Sequence, residues 1–120
     1  MKELVEKVLV TVEDSGFSRE DVRFIFLFGS YLESPEEAND IDIAISLEPD
    51  ISESAEFKLN GRAPEELDIS LFEALPLQVR KEVLTGKLLY SRDDSVYDAA
   101  FETLRDFENF KPHYSKAVAP

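Results

Sequence analysis

The sequence predicts an α/β domain in which one small mixed β-sheet is flanked by helices. Apolar segments of strand length begin at Phe24, Ile41 and Leu67, and segments of helical periodicity precede and follow them. The predicted order is helix, strand, spacer, strand, loop, strand, helix, strand, helix. With 120 residues, the chain is expected to form a single domain, residues 1–120, with a substantial core.

The first helix and the first strand follow from the pattern of apolar residues. Residues 2 to about 15 carry apolar side chains on one helical stripe, and Gly16 is a natural C-terminal cap. Residues 24–28 form an unbroken apolar run that ends at Gly29 and Ser30. A short run of this kind is typical of a strand that is buried on both faces.

The second strand brings two carboxylates together. Residues 41–47 alternate, so Asp40 and Asp42 share the face opposite the isoleucines. Two charges about 4 Å apart repel by roughly 4 kcal/mol at an effective dielectric of about 20. A divalent cation would turn this repulsion into binding energy, and oxygen ligands suit magnesium. For this pair alone, a simpler interpretation is favoured, in which Asp40 caps the strand and Asp42 is solvated.

Asp68 favours a metal site over the simpler interpretation of Asp40 and Asp42. Residues 67–72 alternate again, and Asp68 lies on the face opposite Leu67 and Ile69. If this strand lies beside the second strand with apolar faces matched, Asp68 joins Asp40 and Asp42. Strands disfavour aspartate, which also singles this residue out.

The remaining segments show weaker patterns. Residues 48–66 are expected to be the least ordered part, with Phe57 and Leu59 in a weak edge hairpin or packed locally. Lys58 and Arg62 are interpreted as solvated loop charges.

The C-terminal part is predicted to contain a helix, an edge strand and a last helix. The first of these covers residues 74–85, and a short strand follows at Lys87–Ser91. The last helix is capped by one of the residues 93–95 and is expected to end near Asn109. Residues 110–114 would then dock on the core or, as a minority interpretation, Phe107, Phe110 and Tyr114 would form a partner-binding surface.

Composition limits the function. The net charge of −13 and the lack of a basic run argue against direct nucleic-acid binding and favour a protein partner, especially a basic one. The absence of cysteine excludes disulfides and zinc–thiolate sites. No apolar run approaches the roughly 20 residues of a membrane span, so a soluble, cytoplasmic protein is expected.

The ordered set of motifs resembles that of the polymerase-β-type nucleotidyltransferase superfamily. In its small size, the chain is similar to the minimal nucleotidyltransferases of prokaryotes, which belong to this superfamily. The resemblance rests on residues 28–31, 40–43, 67–69 and 83–90. It implies a polymerase-β-type core in which Asp40, Asp42 and Asp68 are the catalytic residues and the ligands of two Mg²⁺ ions. It also implies that ATP is the substrate and that Gly29 and Ser30 contact its triphosphate.

The same resemblance implies a partner. Many such proteins are antitoxins encoded beside a HEPN-domain ribonuclease toxin, and some attach AMP to a tyrosine of that toxin. The chain is therefore expected to transfer AMP from ATP to a protein hydroxyl and to form a hetero-oligomer with a HEPN toxin.

Departures from the family pattern support a second hypothesis. Leu32, Glu33 and Ser34 stand where members often carry a small residue, arginine and glycine, and the spacer between Ser30 and Asp40 has nine residues, one fewer than is common. An anion thus replaces a cation suited to phosphate. The alternative is an inactive or weak antitoxin that neutralises its toxin by binding alone. A glycosyltransferase-type Asp-x-Asp site is a third interpretation, against which the short chain argues.

Overall fold

The fold is an α/β arrangement with one mixed sheet, as the sequence predicts. The computed structural model describes residues 1–51 and 54–118, with side-chain surroundings through residue 109. The helices are α1 (Lys2–Asp14), α2 (Ser30–Glu33), α3 (Ala55–Arg62), α4 (Leu77–Leu84) and α5 (Ser95–Val118). The strands are β1 (Val22–Phe28), β2 (Ile41–Leu47), β3 (Leu67–Leu71) and β4 (Lys87–Ser91). Short 3-10 turns cover Arg19–Asp21, Pro49–Ile51 and Phe72–Ala74.

The sheet has the order β3-β2-β1-β4. β1 pairs antiparallel with β2 and β4, whereas β2 pairs parallel with β3, which makes the sheet mixed. The predicted burial of β1 is confirmed, because Phe24 to Leu27 are all buried. The predicted edge position of β4 is also confirmed.

Apolar side chains fill both faces of the sheet. On one face, Val8 and Val12 of α1 and Leu59 of α3 belong to the same buried cluster as Ile43 and Ile45 of β2. On the other face, a second cluster contains Phe24 and Phe72, whose rings meet edge-on with centroids 5.3 Å apart, and Val83 of α4 and Val96 of α5. The sheet therefore lies between two helical layers, which is the expected α/β arrangement.

The helix α3 corrects the expectation for residues 48–66. An edge hairpin at Phe57 and Leu59 is wrong, because these residues lie in one helix with Leu59 fully buried and Phe57 85% exposed. Tertiary packing of Ala55 and Leu59 stabilises a helix that is too short to form on its own.

The last helix is longer than predicted. Its backbone continues to Val118 and does not end near Asn109. Pro112 removes one backbone hydrogen bond from a helix interior, but residues on either side of it still form helix. The docking or partner-binding role of the aromatic side chains at residues 110–114 lies outside the described side chains. Among the described helices, none is both long and apolar enough to cross a membrane.

Two glycines allow a matched test of the packing between α4 and β1. A Cβ on Gly86 would lie less than 3.0 Å from the carbonyl oxygen of Leu27, whereas a Cβ on Gly61 would meet nothing within 4 Å. Gly86→Ala is expected to lower the free energy of unfolding by roughly 1–3 kcal/mol, because the backbone of β1 must move. Gly61→Ala, inside α3, is expected to raise it by roughly 0.5–1 kcal/mol. Urea denaturation measures both values, and equal effects would contradict this account.

Candidate active site

A tight corner joins β1 to α2 beside the start of β2. Phe28, the last residue of β1, pairs with Asp42 of β2. Gly29 follows with φ +82°, a left-handed conformation that favours glycine. A Cβ at this position would lie less than 3.0 Å from Oδ2 of Asp42. Both the backbone conformation and the close approach to the carboxylate therefore require glycine at position 29.

Ser30 begins the short helix α2 and is exposed to solvent. Its carbonyl oxygen accepts a hydrogen bond from the backbone N–H of Ser34 at 2.8 Å, and that of Gly29 accepts one from Leu32 at 3.2 Å. These bonds fix the turn of the main chain after the corner. Glu33, which stands where the family often has arginine, is also exposed on α2.

Asp42 and Asp68 are direct neighbours across β2 and β3. The parallel register pairs Asp42 with Asp68 and Ile43 with Ile69, so both carboxylates leave the same face of the sheet. Neighbouring strands lie about 4.8 Å apart, which holds the two charges close together. The expected placement of Asp68 beside Asp42 is confirmed, while the ligand roles of Asp40, Asp42 and Asp68 stay predictions.

Burial and three neighbouring acids raise the pKa of the Asp42 carboxyl above its ordinary range. Burial is the larger cause, and the charges of Asp68, Asp40 and Glu82 add to it. Asp40, in the bend before β2, and Asp68 are exposed, as is Glu82 on α4. Sequence reasoning placed a helix at Glu82 but had no signal for its approach to Asp42, which depends on how α4 packs on the sheet.

The donor set suits a hard cation, although the side chains do not yet converge on one. Among the side chains described, those of residues 1–51 and 54–109, no three histidine, aspartate or glutamate side chains are grouped closely enough to hold a metal ion. Asp40 and Asp68 are exposed to solvent on either side of the half-buried Asp42 in the chain. Oxygen donors and mutual repulsion fit Mg²⁺, which would offset the charge crowded around Asp42.

The substitution Asp42→Asn is expected to raise the free energy of unfolding near pH 7 in metal-free buffer. The folded state binds the Asp42 proton more tightly than the unfolded state, whose carboxyl has a pKa near 3.8. Stability of the wild type therefore falls as the pH rises from 3.8 towards the raised pKa, and the substitution removes this loss. At about pH 3 the two proteins should differ least, because the carboxyl is protonated in both states.

Urea denaturation at both pH values tests this expectation. Asp50→Asn is the control, since it removes the same charge from an exposed turn. If Asp42→Asn is less stable than the wild type at neutral pH, the expected unfavourable effect of the Asp42 charge is contradicted.

Comparison with known families and structures identifies the class of protein. The family model described as "Polymerase beta, Nucleotidyltransferase" matches residues 14–95, which include β1 to β4 and the corner at Gly29. The chain belongs to the polymerase-β nucleotidyltransferase family. Comparison with curated proteins finds no significant match.

Solved toxin–antitoxin complexes contain chains of similar fold. A structure of tri-AMPylated Shewanella oneidensis HEPN toxin in complex with MNT antitoxin matches with a TM-score of 0.72 and 21% identity, over 98% of this chain and 95% of that chain. A toxin–antitoxin complex with AMP-PNP matches with a TM-score of 0.67 and 21% identity, over 94% and 93%. A mutant of a toxin–antitoxin complex of MntA matches with a TM-score of 0.73 and 19% identity, also over 94% and 93%.

Proposed function

We propose that this chain is a Mg²⁺-dependent nucleotidyltransferase and the antitoxin of a HEPN-domain toxin. It transfers AMP from ATP to a hydroxyl of that toxin and releases pyrophosphate, as the bond between the α-phosphorus and the β-phosphate breaks. The observation that carries the proposal is the in-register pair Asp42–Asp68 beside the glycine corner, in a member of this family. The structural relatives add support, since one complex contains AMP-PNP and another an AMPylated HEPN toxin with its MNT antitoxin.

The three aspartates have distinct roles in this proposal. Asp40 and Asp42, from the entry of β2, would hold both ions, and Asp68, from β3, would hold the second one. When bound, the ions supply positive charge that stabilises the reacting phosphate and lowers the pKa of the acceptor hydroxyl. Asp68 is exposed at the outer strand of the sheet, where it would help to remove the proton from that hydroxyl.

The corner would seat the triphosphate. Gly29 has no Cβ, so the main chain at the corner is open to close approach by phosphate oxygens. Ser30 is exposed directly after it, and its hydroxyl can donate a hydrogen bond to a phosphate oxygen. The β- and γ-phosphates would therefore lie beside the carboxylates of Asp40 and Asp42.

The proposal predicts that AMP transfer depends on Asp42. Incubation with labelled ATP, Mg²⁺ and the HEPN partner should label the partner, and Asp42→Asn should reduce the rate on the order of 100-fold or more, as does loss of other transition-state stabilising groups. Asp50→Asn should leave the rate unchanged. Absence of transfer by the wild type, or equal transfer by Asp42→Asn, would disprove the proposed activity.

The two glycines with positive φ separate backbone strain from damage to the site. Gly16 has φ +94° and space around it, whereas a Cβ at Gly29 would collide with Asp42. Gly16→Ala should destabilise the fold by about 1 kcal/mol through strain, and Gly29→Ala by at least as much, because its Cβ also meets Asp42. Only Gly29→Ala should also weaken Mg²⁺–ATP binding, measured by calorimetry on folded protein. If Gly29→Ala and Gly16→Ala bind Mg²⁺–ATP with equal affinity, the corner has no role in binding the nucleotide.

Neutralisation by binding alone is the second candidate. Glu33 on α2 adds a negative charge near the corner, where a triphosphate would be repelled, and the carboxylates do not converge within the described residues. Under this alternative, Asp42→Asn should still bind and inhibit the toxin stoichiometrically, in a ribonuclease assay without ATP. If neither the wild type nor Asp42→Asn inhibits without ATP, and ATP restores inhibition only to the wild type, the result counts against binding alone and in favour of transfer.

A further inference from the structure

Asn60 makes an unusual set of contacts with the outer edge of the sheet. β3 is an outer strand and pairs only with β2 among the described strands. Oδ1 of Asn60 accepts a hydrogen bond from the backbone N–H of Ile69 at 2.9 Å, and Nδ2 donates one to the carbonyl oxygen of Ile69 at 2.7 Å. The carboxamide thus makes the two bonds that a neighbouring strand would make to this residue.

The orientation of this carboxamide is fixed from within α3. Nδ2 also donates to the carbonyl oxygen of Glu56 at 2.9 Å, one turn earlier in the helix. Oε1 of Glu56 in turn accepts the backbone N–H of Leu71 at 3.0 Å. Two side chains of one helix therefore pair with both backbone groups of Ile69 and with the N–H of Leu71, on the outward-facing edge of β3. Such cover of an edge strand also blocks its pairing with other chains.

These contacts bear directly on Asp68, which precedes Ile69. Because backbone groups alternate in direction along a strand, those of Asp68 and Ser70 point towards β2 while those of Ile69 and Leu71 point towards α3. β3 is consequently held on both edges at the position of Asp68. With five residues, β3 is short, and a slip of one residue would send Asp68 to the opposite face of the sheet.

We propose that Asn60 is a positioning residue for the carboxylate of Asp68, acting through the backbone of Ile69. This inference rests on the proposed function, in which Asp68 is a metal ligand. Leu67 and Ile69 are buried in the core, so packing keeps the strand in the sheet when Asn60 is changed. The carboxamide of Asn60 fixes the position of the exposed Asp68 carboxylate more precisely. Groups that orient metal ligands from outside the coordination shell act in the same way.

The test compares Asn60→Leu, which keeps the branched shape and the number of heavy atoms of the side chain but removes both bonds to Ile69, with two other variants. Asn60→Asp keeps the acceptor for the Ile69 N–H and loses the donor. Val12→Ala lowers stability through the buried cluster that α1 shares with β3, without removing either bond between Asn60 and Ile69. Mg²⁺ affinity is measured by calorimetry. AMP transfer assays give the Mg²⁺ concentration for half-maximal rate, kcat and the KM for ATP. All measurements are made at temperatures where circular dichroism shows each variant to be folded.

Asn60→Leu is expected to weaken Mg²⁺ binding about tenfold, the scale found for residues that orient metal ligands, with a smaller loss in Asn60→Asp. Val12→Ala should match the wild type in Mg²⁺ affinity, and amide exchange at Ile69 should accelerate relative to the amides of β1 only in the Asn60 variants.

Three outcomes overturn the inference. If Asn60→Leu binds Mg²⁺ as tightly as the wild type while Asp68→Asn loses affinity, Asn60 has no positioning role and the proposed function still stands. Equal weakening in Val12→Ala shows a general effect of stability. Absence of Mg²⁺ binding by the wild type removes both the inference and the proposed function.

Discussion

The parallel pairing of β2 with β3 is the constraint on which the candidate site depends. It sets Asp42 opposite Asp68 on one face, a placement that costs free energy in isolation because two like charges share a partly buried space. The apolar partners on the other face, Ile43 and Ile69, are almost completely buried and fix this register. The core thus forces together two groups that would otherwise separate, which is typical of sites that bind ions.

Electrostatics over the whole chain point the same way. With a net charge of −13, the protein surface repels anions at long range, so the proposed triphosphate substrate would need cations bound beside it. Arginines such as Arg19 and Arg92 are already engaged with acids at the surface, Arg19 with Glu13 at 3.1 Å and Arg92 with Glu48 at 2.6 Å. A partner with a basic surface would benefit from the same excess of negative charge.

Strong local patterns allowed much of this fold to be predicted from the sequence. The alternating isoleucines defined β2 from Ile41 to Leu47 to the residue, and the matching alternation around Asp68 placed it beside Asp42. The helix α3 was missed because it has eight residues, contains Gly61 and is stabilised by burial of Ala55 and Leu59, which only the folded chain supplies. For the same reason, the approach of Glu82 to Asp42 and the contacts of Asn60 with Ile69 had no signal in the sequence.

The close approach of Gly29 to Asp42 has a thermodynamic consequence. Because the Asp42 carboxylate lies where a Cβ of residue 29 would stand, the proposed triphosphate and the proposed ion would bind side by side. If they bind as proposed, occupancy of the corner and occupancy of the carboxylates are linked equilibria. If a bound nucleotide increases the affinity for the ion by some factor, a bound ion increases the affinity for the nucleotide by the same factor. Saturation with either ligand then lowers the concentration that is needed of the other.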